Sequence, residues 1–189
     1  MPRPPVLPVL DWKAIFESGM PFEEWLEAAE NDQNREAMEQ VLAGQELEPH
    51  IEALLGALPR PVYVVAIAED WCGDVVRHAP VLQRLAQAAP NLKVRYITRE
   101  QHKDVFVRFL TNGGEAIPKF VFLSGQFVEC GNWGPMPAAD RALIARGKAC
   151  GNVGAARKKV AQSYQMDMGR RIVVEELMEL INTAVCASP

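Results

Sequence analysis

Ala68-Glu69-Asp70-Trp71-Cys72-Gly73-Asp74-Val75-Val76-Arg77-His78-Ala79-Pro80 is the stretch whose reading decides the fold. It follows Val62-Tyr63-Val64-Val65-Ala66-Ile67, a continuous apolar run that suits a central strand buried on both faces. It opens a helix expected to run to about residue 89. A cysteine at a strand-to-helix turn lies at the positive end of the helix, where unpaired N–H groups favour thiolate over thiol. Arg77 and His78 add to that effect if they share its face, while Glu69, Asp70 and Asp74 oppose it. Asp74 also suits a capping role at the helix start. Cys72 is the first candidate residue, and His78 is expected to be partly exposed on the same helix.

On the C-terminal side, Val94-Arg95-Tyr96-Ile97 is a second strand. A helix follows with Val105, Phe106, Phe109 and Leu110 on one face, ended by Asn112-Gly113-Gly114. Strand–helix–strand–helix implies parallel pairing. Residues 117–123 then read as a strand, Ser124-Gly125-Gln126 as a turn, and Phe127-Val128-Glu129-Cys130 as its antiparallel return. Gly131-Asn132-Trp133-Gly134-Pro135 is expected to be a loop before a helix carrying Leu143 and Ile144. A long helical region beyond Gly151-Asn152 carries Val160, Tyr164, Ile172, Leu177, Leu180 and Ile181, with Gly169 as its expected kink or break.

On the N-terminal side, residues 1–10 are a proline-rich lead. Asp11 caps a short helix with Trp12 and Phe16, and Pro21 starts another with Phe22, Trp25 and Leu26 on one face. Asn31-Asp32-Gln33-Asn34 reads as a connector before helical pieces at about 35–42 and 48–58, stopped by Pro59 and Pro61. The division expected is a helical extension over 1–59 packed on the core, a central domain over 60–150, and a helical extension over 151–189.

Composition narrows the function. A chain of 189 residues, 49% hydrophobic and 23% charged, has ample material for a core. A net charge of −4 gives no electrostatic case for nucleic acid or an anionic membrane. No run reaches the roughly 18 apolar residues of a membrane span, and no signal segment is apparent, so a cytoplasmic location is expected. Cys72, Cys130, Cys150 and Cys186 form no Cys-x-x-Cys pair, and His50, His78 and His102 add no ligand spacing, so no metal is expected. Cys130 is weighed as a distant resolving thiol, but its strand position favours core packing.

The element order βαβα-ββα resembles the thioredoxin fold, with a mixed central sheet. Trp71-Cys72-Gly73 resembles the start of that family's active site. Pro80, eight residues after the cysteine, resembles the proline inside its active-site helix. Ile117-Pro118 resembles its cis-proline dipeptide, which lies beside the cysteine and binds extended peptide. The run Glu69 to Asp74, with residues 111–120, resembles a bacterial branch carrying helical additions. The resemblance covers about residues 60–149. It implies a site with Cys72 as nucleophile and Trp71, Gly73, Asp74, Ile117, Pro118 and Trp133 around the substrate.

Two departures qualify that site. Val75 stands where a dithiol enzyme has its second cysteine, and Ala66 where it has a buried carboxylate. A mixed disulfide at Cys72 therefore has no neighbouring thiol to release it. The leading expectation is a monothiol thiol–disulfide protein that exchanges with protein thiols or disulfides. It needs no bound cofactor, but a low-molecular-weight thiol such as glutathione can serve as co-substrate. The alternative is a non-catalytic module that binds an extended peptide. An iron–sulfur site shared with glutathione does not suit Asp74-Val75, and peroxidase chemistry lacks its motif before Cys72.

Overall fold

The computed structural model describes residues 9–187, so most of the proline-rich lead lies outside the described residues. Its centre is a four-stranded mixed sheet in the order β2-β1-β3-β4. β1 (Val62–Ile67) pairs in parallel with β2 (Leu92–Ile97) and antiparallel to β3 (Lys119–Leu123), which pairs antiparallel with β4 (Glu129–Trp133). Val64, Val65, Ala66 and Ile67 are fully buried, as a strand covered on both faces requires. The mixed α/β architecture with helices at both ends is the one expected.

Period-two alternation sorts the residues into two faces. Ala66, its β2 partner Tyr96 and its β3 partner Phe120 share one face. That face meets α5 (Gly73–Ala88) and α9 (Arg171–Cys186), and the Tyr96 hydroxyl donates to the Ala79 carbonyl of α5 at 3.4 Å. The opposite face carries Tyr63, whose ring meets Phe16 of α1 (Trp12–Glu17) at 5.0 Å and stacks on Phe127 at 4.2 Å.

The N-terminal helices are fastened to this frame. Asp11 caps α1 through the Ala14 N–H, as its position suggests. Trp25 of α2 (Phe22–Glu27) stacks on Tyr96 at 4.8 Å, and Met20 makes an isolated antiparallel bridge to the same tyrosine. α3 runs Asp32–Gly44 with Asn31 as its cap, so most of the expected connector is helix. The cause is local, because an Asn side chain accepting the Asn34 N–H starts a helix rather than prolonging a loop. α3 lies along α5, and α4 spans Pro49–Gly56.

The C-terminal half departs from expectation in three places. The helix after β2 is one short turn, α6 (Lys103–Phe106), followed by a 3₁₀ turn over Val107–Phe109. β4 extends through Trp133, so Gly131 and Trp133 are ladder residues rather than loop. The third difference concerns which helix closes the sheet. α7 (Ala138–Ala149) packs chiefly on α8 (Val153–Met166), whereas α9 packs on β4, β3 and β1. A boundary at 150 thus leaves the sheet-closing helix in the segment read as an extension. Its apolar face of Val173, Val174, Leu177, Ile181 and Ala184 is buried and continuous, while α7 buries only Asp140 and Gly147. Among the described residues no helix is long and apolar enough to cross a membrane.

Candidate functional site at Cys72

Cys72 is the N-cap of α5, with φ −88° and ψ 121°, and is half-buried. The backbone N–H groups of Asp74 and Val75 at the helix start favour a thiolate, no capping hydrogen bond is made to the sulfur among the described residues, and its thiol donates to the Ile117 carbonyl at 3.5 Å. Burial outweighs the helix start and pushes the thiol pKa up. The Asp74 charge pushes the same way, and the Arg99 charge opposes both. Glu69 and Asp70 act elsewhere. Glu69 accepts the Arg99 N–H at 2.9 Å, and Asp70 accepts the Asn31 N–H at 3.0 Å. These two acids tie the cysteine turn to the loop after β2 and to the start of α3.

The Ile117–Pro118 peptide bond is cis, and so is Gly134–Pro135. Both prolines and Ile117 are buried. The two segments press together: a Cβ on Gly134, whose φ is +115°, would lie 2.0 Å from the Pro118 carbonyl oxygen. Lys119 fastens the pair, since its buried ammonium donates to the Gly134 carbonyl at 2.7 Å. Burial, with Arg141 nearby, lowers its pKa to about 8.

The residues expected around Cys72 divide into those near the surface and those in the core. Trp71 is 55% exposed and Arg99 lies over its ring at 5.2 Å. Gly73 is exposed and Asp74 half-buried. Ile117 reaches Cys72 through its carbonyl while its side chain is buried. Trp133 is a correction. It is 2% exposed, stacks on Phe120 at 5.4 Å, and donates from Nε1 to Glu176 of α9 at 2.6 Å. It anchors the closing helix and forms no rim.

His78 is a second correction, for it is fully buried. Its ring stands edge-on to Trp133, and burial drives its pKa down to about 3. Its Nε2 lies 3.3 Å from the Tyr164 hydroxyl, which also lies 3.4 Å from Asp74 Oδ1. A chain Asp74–Tyr164–His78 therefore runs beneath the first turns of α5, with Arg77 over the Tyr164 ring at 3.9 Å. Burial raises the Asp74 and Tyr164 pKa values. Val75 and Ala66 are fully buried and apolar at the positions of the absent thiol and carboxylate. All four cysteines are free.

Sequence reasoning missed Arg99, Lys119 and Tyr164. Arg99 joins Glu69, Trp71 and Glu115, which no local spacing connects. Lys119 carries one signal, a charge directly after a buried dipeptide at the start of an apolar strand.

A family model described as thioredoxin matches residues 19–149, beginning within the N-terminal helices and ending before α9. A crystal structure of a protein of unknown function from Pseudomonas aeruginosa aligns at 16% identity with TM-score 0.68, covering 95% of this chain and all of that one. An HIV epitope scaffold aligns at 16% identity with TM-score 0.71, covering 93% of this chain and 99% of the scaffold. No curated protein matches.

Proposed function

The chain belongs to the thioredoxin family, and from that premise we propose that it performs thiol–disulfide exchange through Cys72 alone. One observation carries the reading. A half-buried cysteine stands at the N-cap of a sixteen-residue helix, where the helix start favours a thiolate, and its sulfur meets the carbonyl of Ile117, which precedes Pro118. The Cys72 thiolate attacks a disulfide, an S–S bond forms to Sγ, and the electron pair leaves on the displaced sulfur. Val75 leaves no internal route out, so an external thiol completes the cycle. The Asp74 charge beside the thiol raises its pKa, and burial in turn raises the Asp74 pKa.

The run Glu69 to Asp74 supports a place in the bacterial branch that keeps one active-site cysteine. Four free cysteines suit the reducing cytoplasm. A non-catalytic peptide-binding module is the second reading, favoured by the raised Cys72 pKa. Burial of Ile117 and Pro118 weighs against it, since little of that dipeptide is open to a docking peptide.

The test uses a chain with Cys130, Cys150 and Cys186 replaced by serine. An aromatic disulfide should form one mixed disulfide at Cys72, seen by mass, and Cys72→Ser should abolish it. The reading is overturned if Cys72 reacts no faster than a free model thiol at the same pH. Peptide binding that survives Cys72→Ser and is lost in Trp71→Ala would then establish the module.

A further inference from the structure

α4 packs chiefly on α5, and α9 packs on the sheet and α5, which leaves an apolar cleft of about 630 Å³ between α4 and α9. One wall is the stripe Ile51, Leu54 and Leu58, and the other is Met178, Ile181 and Val185. Both stripes keep the three-then-four spacing of a single helix face. Leu54 is 57% exposed, and Met178 and Val185 are half-buried. The charge on the cleft is mainly of one sign. Glu175 and Glu179 border it and form no ion pair among the described residues. His50 also borders it, with Nδ1 3.4 Å from Glu48. A smaller cleft bordered by Glu48 and Arg171 joins at His50, Ile51 and Glu175, and the ion pair of Glu48 with Arg171 stands at that end. Residue numbers rise along both walls away from that end, so α4 and α9 direct their electronegative C-termini the same way. Neither helix has a basic residue in its last turn.

We propose that this cleft binds a basic amphipathic helix of a partner protein. The occupant sets apolar side chains at i, i+3 or i+4, and i+7 between the two stripes, and places Lys or Arg beside Glu175, Glu179 and the helix ends. Ile51 to Leu58 corresponds to about 10 Å of helix rise, so about two turns of the occupant make contact. An extended peptide fits poorly. No strand borders the cleft, so the backbone N–H and C=O groups of such a peptide would face apolar walls unpaired, whereas a helix pairs its own. An anionic amphiphile such as a fatty acid would bring its carboxylate against two others. The Cys72 turn contributes nothing to these walls, so occupancy does not depend on thiol exchange.

The probe is a fluorescent, end-capped peptide of about 14 residues, roughly four helical turns, with leucines spaced three and four apart and Lys and Ala elsewhere. One control peptide carries Glu in place of Lys, and another has the leucines moved off the common face. Fluorescence anisotropy with the full chain should show saturable micromolar binding of the probe and at least about tenfold weaker binding of both controls. Leu54→Asp and Glu179→Lys should each weaken the probe about tenfold, while Glu27→Lys on α2 should leave it unchanged. Leu54→Asp replaces an exposed side chain, and circular dichroism checks that its fold is kept. No saturation, equal binding of either control peptide, or indifference to either cleft variant overturns the proposal. So does a dimer in sedimentation that Leu54→Asp dissociates, which makes a second copy the occupant. NMR shifts of Val6 and Leu7 on Leu54→Asp likewise overturn it, by making the proline-rich lead the occupant.

Discussion

At the scale of single residues, the site is a contest between burial and the helix start. The N–H groups of Asp74 and Val75 favour a Cys72 thiolate, while desolvation and the Asp74 charge oppose it. Asp74→Asn removes the opposing charge and should speed Cys72 alkylation at pH 8 about two- to fivefold, read from alkylation rate against pH. Arg99→Gln should slow it, since that guanidinium is the cation acting on the thiol. His78 makes a stability prediction. The unfolded chain takes up a proton at this ring near pH 6.5, and the folded chain only near 3. The folded state is therefore penalised progressively as pH falls from about 6.5 toward 3, by on the order of 5 kcal/mol. Asp74 and Asp140, with raised pKa values, titrate with the opposite sign in the acid range. Comparing wild type with His78→Gln cancels them. The urea midpoint of the variant should fall less steeply between pH 6.5 and 4.5.

At the scale of elements, the cysteine turn and the two cis-proline segments are held by groups that lie outside the motif. Gly134 is the tightest point, since any side chain there drives into the Pro118 carbonyl from a backbone with φ of +115°. Gly134→Ala should cost upward of about 3 kcal/mol in a thermal melt. Gly73→Ala should change stability by less than about 1 kcal/mol, because a Cβ there meets nothing within 4 Å and the residue begins a helix. Equal effects at the two glycines would refute this account of the clamp. Asp70 works between elements, accepting the Asn31 N–H while its carbonyl takes the Asn34 side-chain amide at 2.8 Å. Asp70→Ala should cost about 1 kcal/mol and raise hydrogen exchange at residues 31–35.

At the scale of the whole molecule, the helical additions complete the core. α9 covers the sheet with Leu177 and Ile181, and its Glu176 holds both Trp133 Nε1 and the Ala138 N–H that opens α7. Leu177→Ala should destabilise by about 2–5 kcal/mol, as a fully buried leucine does. Lys158→Ala on exposed α8 should stay within about 0.5 kcal/mol, and denaturant midpoints measure both. α8 matters through one side chain, since Tyr164 reaches under α5 to join Asp74 and His78.

The strand before Cys72, the helix after it and the element order were legible in local signals: an apolar run, a capping position and turn residues. So was Cys72 as the candidate, because a helix start acts on its own first residues whatever the rest of the chain does. Local pattern could not reveal which residues meet. Trp133 read as a site residue and His78 as a partly exposed one, yet they meet each other in the core, because only the packing of α5 against α9 and β4 decides which side of a helix faces water. The sign of the Cys72 pKa shift was likewise undetermined, since desolvation depends on how deeply the surrounding elements bury the sulfur. Sequence determined the fold and the thiol; tertiary packing decided what surrounds it, because burial and charge fields are sums over neighbours that the chain brings together only by folding.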